Sequence, residues 1–117
     1  MPTIIDRDRL EAELKADADV VRSLRENGDV ESVVRPVDVR FVGDETKITN
    51  LSHNIEGLGW RVLQVVQLEA GKAALDVQRD QTTDAAALRE LTETALRIET
   101  ASGVDYDGWG TIAQRSH

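Results

Sequence analysis

The 117-residue sequence contains no cysteine, which excludes disulfides, a thiol nucleophile and a thiolate metal site. No apolar run approaches the roughly 20 residues that a membrane-spanning helix requires. The charged residues that follow Met1 to Ile5 do not fit a secretory leader. Because cysteine is absent and no leader is recognisable, we expect a cytoplasmic protein that has no cofactor and no membrane partner.

Basic residues are outnumbered: 14 Lys and Arg face 22 Asp and Glu, for a formal net charge of −8. Such a charge opposes attraction to the phosphate backbone of nucleic acids. The nearest candidate for a basic patch, Arg35, Arg40 and Arg61, is scattered among acidic residues. The acidic balance instead favours solubility or docking to a basic protein surface, and we expect no direct binding of nucleic acid.

The spacing of apolar residues predicts an N-terminal helix over about 6–27, with a stripe at Leu10, Leu14, Ala18, Val21 and Leu24. Asp6 is its predicted N-cap. Downstream, alternating and helical patterns predict two further helices and four strands. These are helices over 44–58 and 85–101, and strands over 33–42, 60–69, 73–79 and 104–112.

The predicted order after the first helix is β-α-β-β-α-β, which is typical of two split β-α-β halves. We therefore predict an α+β protein with one domain, residues 1–117, whose part from about 33 to 114 is a ferredoxin-like two-layer α/β sandwich. Both inner helices should pack on one face of a four-stranded antiparallel sheet. The N-terminal helix either covers the other face or extends the helical layer, and the sequence leaves both arrangements open.

Candidates for catalysis are few. Asp105 and Asp107 have the spacing that places two carboxylates on one face of a strand, as acid–base chemistry or a hard cation would require. No third ligand accompanies them, so we predict no catalytic and no metal site. A small enzyme or ligand-binding domain that gathers Asp105, Asp107 and His53 around a cleft is an alternative hypothesis.

The chain holds only four aromatic residues, and two of them, Tyr106 and Trp109, lie three positions apart near the C-terminal end. Glycines flank the tryptophan, so the backbone can turn sharply there. Such rings either close the core or contact a partner, where Trp and Tyr dominate binding energy. Our candidate protein-binding residues are Tyr106, Asp107 and Trp109, together with Asp105 and Trp60.

The stretch Gly103-Val104-Asp105-Tyr106-Asp107-Gly108-Trp109-Gly110-Thr111 resembles the segment that follows the last helix in the regulator of ribonuclease E activity B (RraB) family. The exit from a helix at Gly57 to Arg61 resembles the family more weakly, and the similarity covers roughly residues 35–114. It implies an acidic, cytoplasmic bacterial protein with a ferredoxin-like sandwich that is not an enzyme. Such proteins bind the non-catalytic scaffold region of ribonuclease E and thereby lower its activity in RNA decay.

Family members end in a strongly acidic tail, whereas this sequence ends at Ser116-His117. If the tail contributes to binding, we expect weak inhibition of ribonuclease E. The alternative within the resemblance is an RraB-like interaction module, or an immunity-type module, with a different protein partner. The oligomeric state is left open, although an exposed edge strand could pair with a second copy.

Overall fold

A computed structural model describes residues 5–115, and the terminal residues 1–4 and 116–117 lie outside the described part. The expectations about a secretory leader and an acidic tail concern these terminal residues and therefore lie outside the described part. The described elements are, in order, α1 (Arg7–Glu26), β1 (Arg35–Asp44), α2 (Glu45–Asn54), a 3-10 turn (Ile55–Leu58), β2 (Arg61–Gln67), β3 (Lys72–Gln81), α3 (Ala85–Ser102) and β4 (Asp105–Gly110). The predicted helix followed by β-α-β-β-α-β is confirmed.

The four strands form one antiparallel sheet in the order β2-β3-β1-β4. Its centre is the long β1–β3 pair, in which Val39 lies opposite Val77 and Phe41 opposite Leu75. These side chains are buried and face the helices, because alternate residues of a strand point to the same face. The core therefore lies between the sheet and a single layer of helices, as a two-layer sandwich requires.

Local signals placed most helix ends correctly. Asp6 accepts a hydrogen bond from the backbone N–H of Arg9 at 2.8 Å, and Asp84 accepts one from that of Ala87 at 3.2 Å, so both act as N-caps. The predicted second helix is too long, because α2 ends at Asn54 and the chain continues as a 3-10 turn. Leu58, the last residue of the predicted helix, lies in that turn and is exposed.

The first helix extends the helical layer and does not cover the second face of the sheet. α1 packs beside α3, and the Arg9 guanidinium donates hydrogen bonds to the Glu99 carboxylate of α3 and to the backbone carbonyl of Tyr106 in β4, both at 3.0 Å. Three helices thus share one side of the sheet. The other side, which we call the open sheet face, carries mostly charged and polar residues: Asp38, Arg40, Asp44, Arg61, Gln64, Lys72, Asp76, Gln78, Asp80, Asp105 and Asp107.

A buried ion pair joins the loops at one end of the sheet. The Arg35 guanidinium donates to the Asp29 carboxylate at 2.7 Å, and both side chains are almost fully excluded from solvent. Asp29 also accepts hydrogen bonds from the Thr83 hydroxyl and the Gln114 backbone N–H, each at 2.8 Å. Burial would raise the pKa of Asp29, but these donors and the charge of Arg35 outweigh it and hold the pKa below its usual value.

We expect Asp29→Ala to lower the free energy of unfolding by about 3 kcal/mol, because the buried Arg35 loses its carboxylate and keeps only the backbone carbonyls of Val30 and Val33. The matched control is Asp19→Ala, which removes an exposed pair with Arg22 and should cost less than about 1 kcal/mol. Urea unfolding of the three proteins measures the difference. If both variants lose the same free energy of unfolding, the buried pair contributes no more to stability than the exposed pair does.

The contribution of Asp29 to folding stability depends on pH in a defined direction. Because the folded-state pKa of Asp29 is lowered, its contribution is present above the unfolded-state pKa of an aspartate and is lost as the pH falls through the folded-state value. Wild type should therefore lose more stability on acidification than the Asp29→Ala variant does.

Candidate protein-binding site

A β-bulge in β4 decides which way the candidate site residues face. Trp109 lies opposite Val39 and Tyr106 opposite Phe41, so that Asp107 and Gly108 together oppose the single residue Arg40. Gly108 has a φ of +91°, which L side chains rarely adopt. In a regular strand, residues three apart face opposite sides. The extra residue returns Trp109 to the helical side, where Tyr106 also points.

Two of the candidate aromatic residues are buried in the core. Tyr106 is 3% exposed, and its ring centre lies 6.0 Å from that of Phe41. Trp60 is 2% exposed, and the Arg79 guanidinium lies 4.5 Å from the centre of its ring. In the free protein these rings pack the sheet against the helices.

Trp109 is half-buried and joins β4 to α1. Its indole Nε1–H donates to one oxygen of the Asp17 carboxylate at 2.8 Å, while the other oxygen accepts from the Thr92 hydroxyl of α3 at 2.6 Å. Asp17 is itself buried. One carboxylate thus connects two helices and a strand through hydrogen bonds.

Asp17 was not among the candidate residues predicted from the sequence. A signal did exist: Asp17 continues the spacing of Leu10, Leu14, Val21 and Leu24, whereas Ala18, which was placed on that stripe, is exposed. Burial raises the pKa of Asp17, and the hydrogen bonds from Thr92 and Trp109 oppose that rise only in part.

Asp105 and Asp107 are exposed on the open sheet face, on the side opposite to Tyr106 and Trp109. Asp107 lines a shallow depression of about 260 Å³ together with Arg40 and Asp76. The Arg40 guanidinium forms two hydrogen bonds with Asp76, at 2.7 and 2.9 Å. Those bonds hold the pKa of Asp76 below its usual value, so this carboxylate is charged at neutral pH.

The open sheet face is acidic overall, with six aspartates against Arg40, Arg61 and Lys72. Each of these cations forms an ion pair with an aspartate of the same face. Arg35, the remaining arginine of the scattered basic group, is buried against Asp29. The face therefore offers carboxylates, and no cluster of unpaired arginines, to an approaching molecule.

The structure does not gather the three residues of the enzyme alternative. His53 lies on α2 in the helical layer, whereas Asp105 and Asp107 lie on the open sheet face, so the sheet separates them. Within residues 5–115, no group of three or more histidine, aspartate or glutamate side chains has the arrangement of a metal site. None of the helices in this range is long and apolar enough to span a membrane.

We expect Trp109→Phe to lower the free energy of unfolding by about 2 kcal/mol at neutral pH, because the buried Asp17 side chain loses one of its two hydrogen-bond donors. The raised folded-state pKa of Asp17 means that its effect on stability is most favourable below the unfolded-state pKa and is lost as the pH rises through the folded-state value. The cost of Trp109→Phe should therefore shrink towards the acidic limit of the folded range.

Chemical denaturation of wild type, Trp109→Phe, Asp17→Asn and the double variant measures this coupling as a function of pH. If the loss of stability in Trp109→Phe does not change with pH, or adds to that of Asp17→Asn, the hydrogen bond between Trp109 and Asp17 does not hold β4 to α1.

Comparison with known proteins finds one family whose model matches this chain. The family model of the regulator of ribonuclease activity B, RraB, matches residues 14–111, which is most of the chain. No curated protein matches the sequence. The matched range includes Asp17, both inner helices, the whole sheet and the Tyr106–Trp109 bulge. The chain belongs to the RraB family of regulators of ribonuclease activity.

Proposed function

We propose that this protein is a non-enzymatic regulator that binds the non-catalytic scaffold region of ribonuclease E and thereby lowers RNA decay in the cytoplasm. The observation that carries the proposal is the RraB match over residues 14–111. The separation of His53 from the paired aspartates agrees with a binding role, since that enzyme alternative required all three in one cleft.

We place the contact surface on the open sheet face beside β4. Asp105 and Asp107 are exposed there, whereas Trp109 is partly accessible on the helical side of the same edge strand. Tyr106 and Trp60 are buried, so we assign them to holding β4 and the sheet in the geometry that presents the carboxylates. The five candidate residues thus divide into a contact group and a supporting group.

Electrostatics identifies the kind of segment that this surface fits. The protein has a formal net charge of −8, and its open face holds more aspartates than cations. Opposite charges on two partners accelerate association and fix the orientation of docking. A basic stretch of a scaffold region, of the type that also attracts RNA, satisfies this requirement. Occupation of that stretch by the acidic face would then exclude RNA from the same cations.

We expect the double variant Asp105→Lys/Asp107→Lys to bind the purified non-catalytic region of ribonuclease E at least about tenfold more weakly than wild type, because two attractive charges become repulsive. The matched control is Glu11→Lys/Glu26→Lys, which changes the net charge equally on the exposed side of α1. Calorimetric or surface-based titration at low and at moderate salt measures both effects.

The control variant should lose far less affinity, and the difference between the two variants should narrow as salt screens the charges. Equal weakening in both variants would move the contact surface away from β4. If the wild-type protein fails to bind the scaffold region under any of these conditions, ribonuclease E is not its partner.

A further inference from the structure

The outer edge of the sheet at β2 is apolar. Leu63, Val65 and Leu68 are 50%, 41% and 41% exposed, which is unusual for three large aliphatic side chains so close in the chain. Arg61 is the only charged residue of β2, and it stands at the first position of the strand. β2 pairs with β3 on one side only, so its second row of backbone groups faces outward.

The two edges of the sheet differ in how they resist pairing with another chain. Proteins protect edge strands by keeping them short, by bulges and by charged side chains. β4 has all three features, since it is six residues long, contains the bulge at Gly108 and carries Asp105 and Asp107. β2 has an irregularity at Leu63, but from Gln64 to Gln67 its pairing is regular and without charge.

We propose that β2 pairs antiparallel with β2 of a second copy of this chain, so that two four-stranded sheets become one continuous sheet. A two-fold axis places the same segment on both sides of such an interface, so the segment must complement itself. The apolar edge of β2 meets that condition. The charges that flank β2 are also self-complementary, because they have opposite signs: Arg61 lies at one end and Glu69 just beyond the other.

The hydrogen bonds of the β2–β3 hairpin define the register. Leu68 donates its backbone N–H to the Lys72 carbonyl, so residue 68 and, by alternation, residue 66 bond to β3. The backbone groups of Val65 and Gln67 therefore point outward. A two-fold axis at Val65 makes the two Val65 residues a hydrogen-bonded pair.

The same axis brings the end of β2 that carries Arg61 near Glu69 of the second copy. Glu69 is exposed and forms no ion pair with the other residues between positions 5 and 115. It is therefore available to Arg61 of a second copy, which also pairs with Asp80 of its own chain. The axis also brings Val66 opposite Gln64 of the second copy, within the part of β2 whose pairing is regular. An interface of this kind is at the small end of specific contacts, so we expect a dimer that forms at micromolar or higher concentration.

Sedimentation velocity over a range of protein concentrations tests the dimer. Wild type should pass from monomer to dimer as the concentration rises, whereas Val65→Lys should remain monomeric because two like charges would face each other at the axis. The matched control is Ile112→Lys, which adds the same charge at a residue that is 80% exposed and outside the sheet. This control should dimerise like wild type, and circular dichroism verifies that both variants are folded.

The absence of cysteine permits a direct test of the register. Residues in a hydrogen-bonded antiparallel pair have Cα atoms about 5.5 Å apart, within the range that a disulfide spans. Val65→Cys should therefore give a disulfide-linked dimer under mild oxidation much faster than Ile112→Cys. Leu63→Cys, which is exposed on the same edge but lies away from its own copy in this register, should react no faster than the Ile112→Cys control.

A wild-type protein that stays monomeric up to millimolar concentration would overturn the proposal. So would a dimer that survives Val65→Lys, or a Val65→Cys variant that crosslinks no faster than Ile112→Cys. These experiments use only this chain, so their failure would leave the proposed binding to ribonuclease E untouched.

Discussion

The backbone conformation at Gly108 determines which side of the sheet the following residue of β4, Trp109, faces. A positive φ of +91° allows one extra residue to bulge out opposite Arg40. As a result, Trp109 reaches α1 on the helical side, the side on which Tyr106 enters the core, while Asp105 and Asp107 point to the open face. The hydrogen bond between Trp109 and Asp17 of the first helix depends on this irregularity.

Two buried aspartates stabilise the fold by different means. Asp29 forms an ion pair with Arg35 and accepts further hydrogen bonds, and together these lower its pKa despite its burial. Asp17 meets only the neutral donors Thr92 and Trp109, so that desolvation prevails and its pKa is raised. Both carboxylates connect segments that are distant in sequence, and both are therefore points where a single substitution loosens more than one element.

The sheet presents two edges with different physical properties. β4 is acidic and bulged, and it borders the surface that we assign to a basic segment of a ribonuclease scaffold. β2 is apolar and nearly uncharged, and it suits pairing with a second copy. Because the strand order β2-β3-β1-β4 places these edges on opposite sides of the sheet, one copy can use both at once. A dimer would then offer two acidic faces to one scaffold.

Much of this architecture could be predicted from the sequence, because the signals are local. Helical spacing, the cap at Asp6 and the strand patterns specify the order of elements, and the Tyr106–Trp109 segment is similar to that of the RraB family. These features depend on residues within one or two turns of each other. The spacing of Asp105 and Asp107 likewise placed them on a common face.

Only the tertiary structure decided where the first helix lies and which charged residues are buried. Asp17 acquires its partners Thr92 and Trp109 from positions 75 and 92 residues away, and no local pattern encodes such contacts. The bulge likewise became visible only in the register between β1 and β4. Periodicity reports which face of an element is apolar, whereas burial and hydrogen bonding depend on which distant element covers that face.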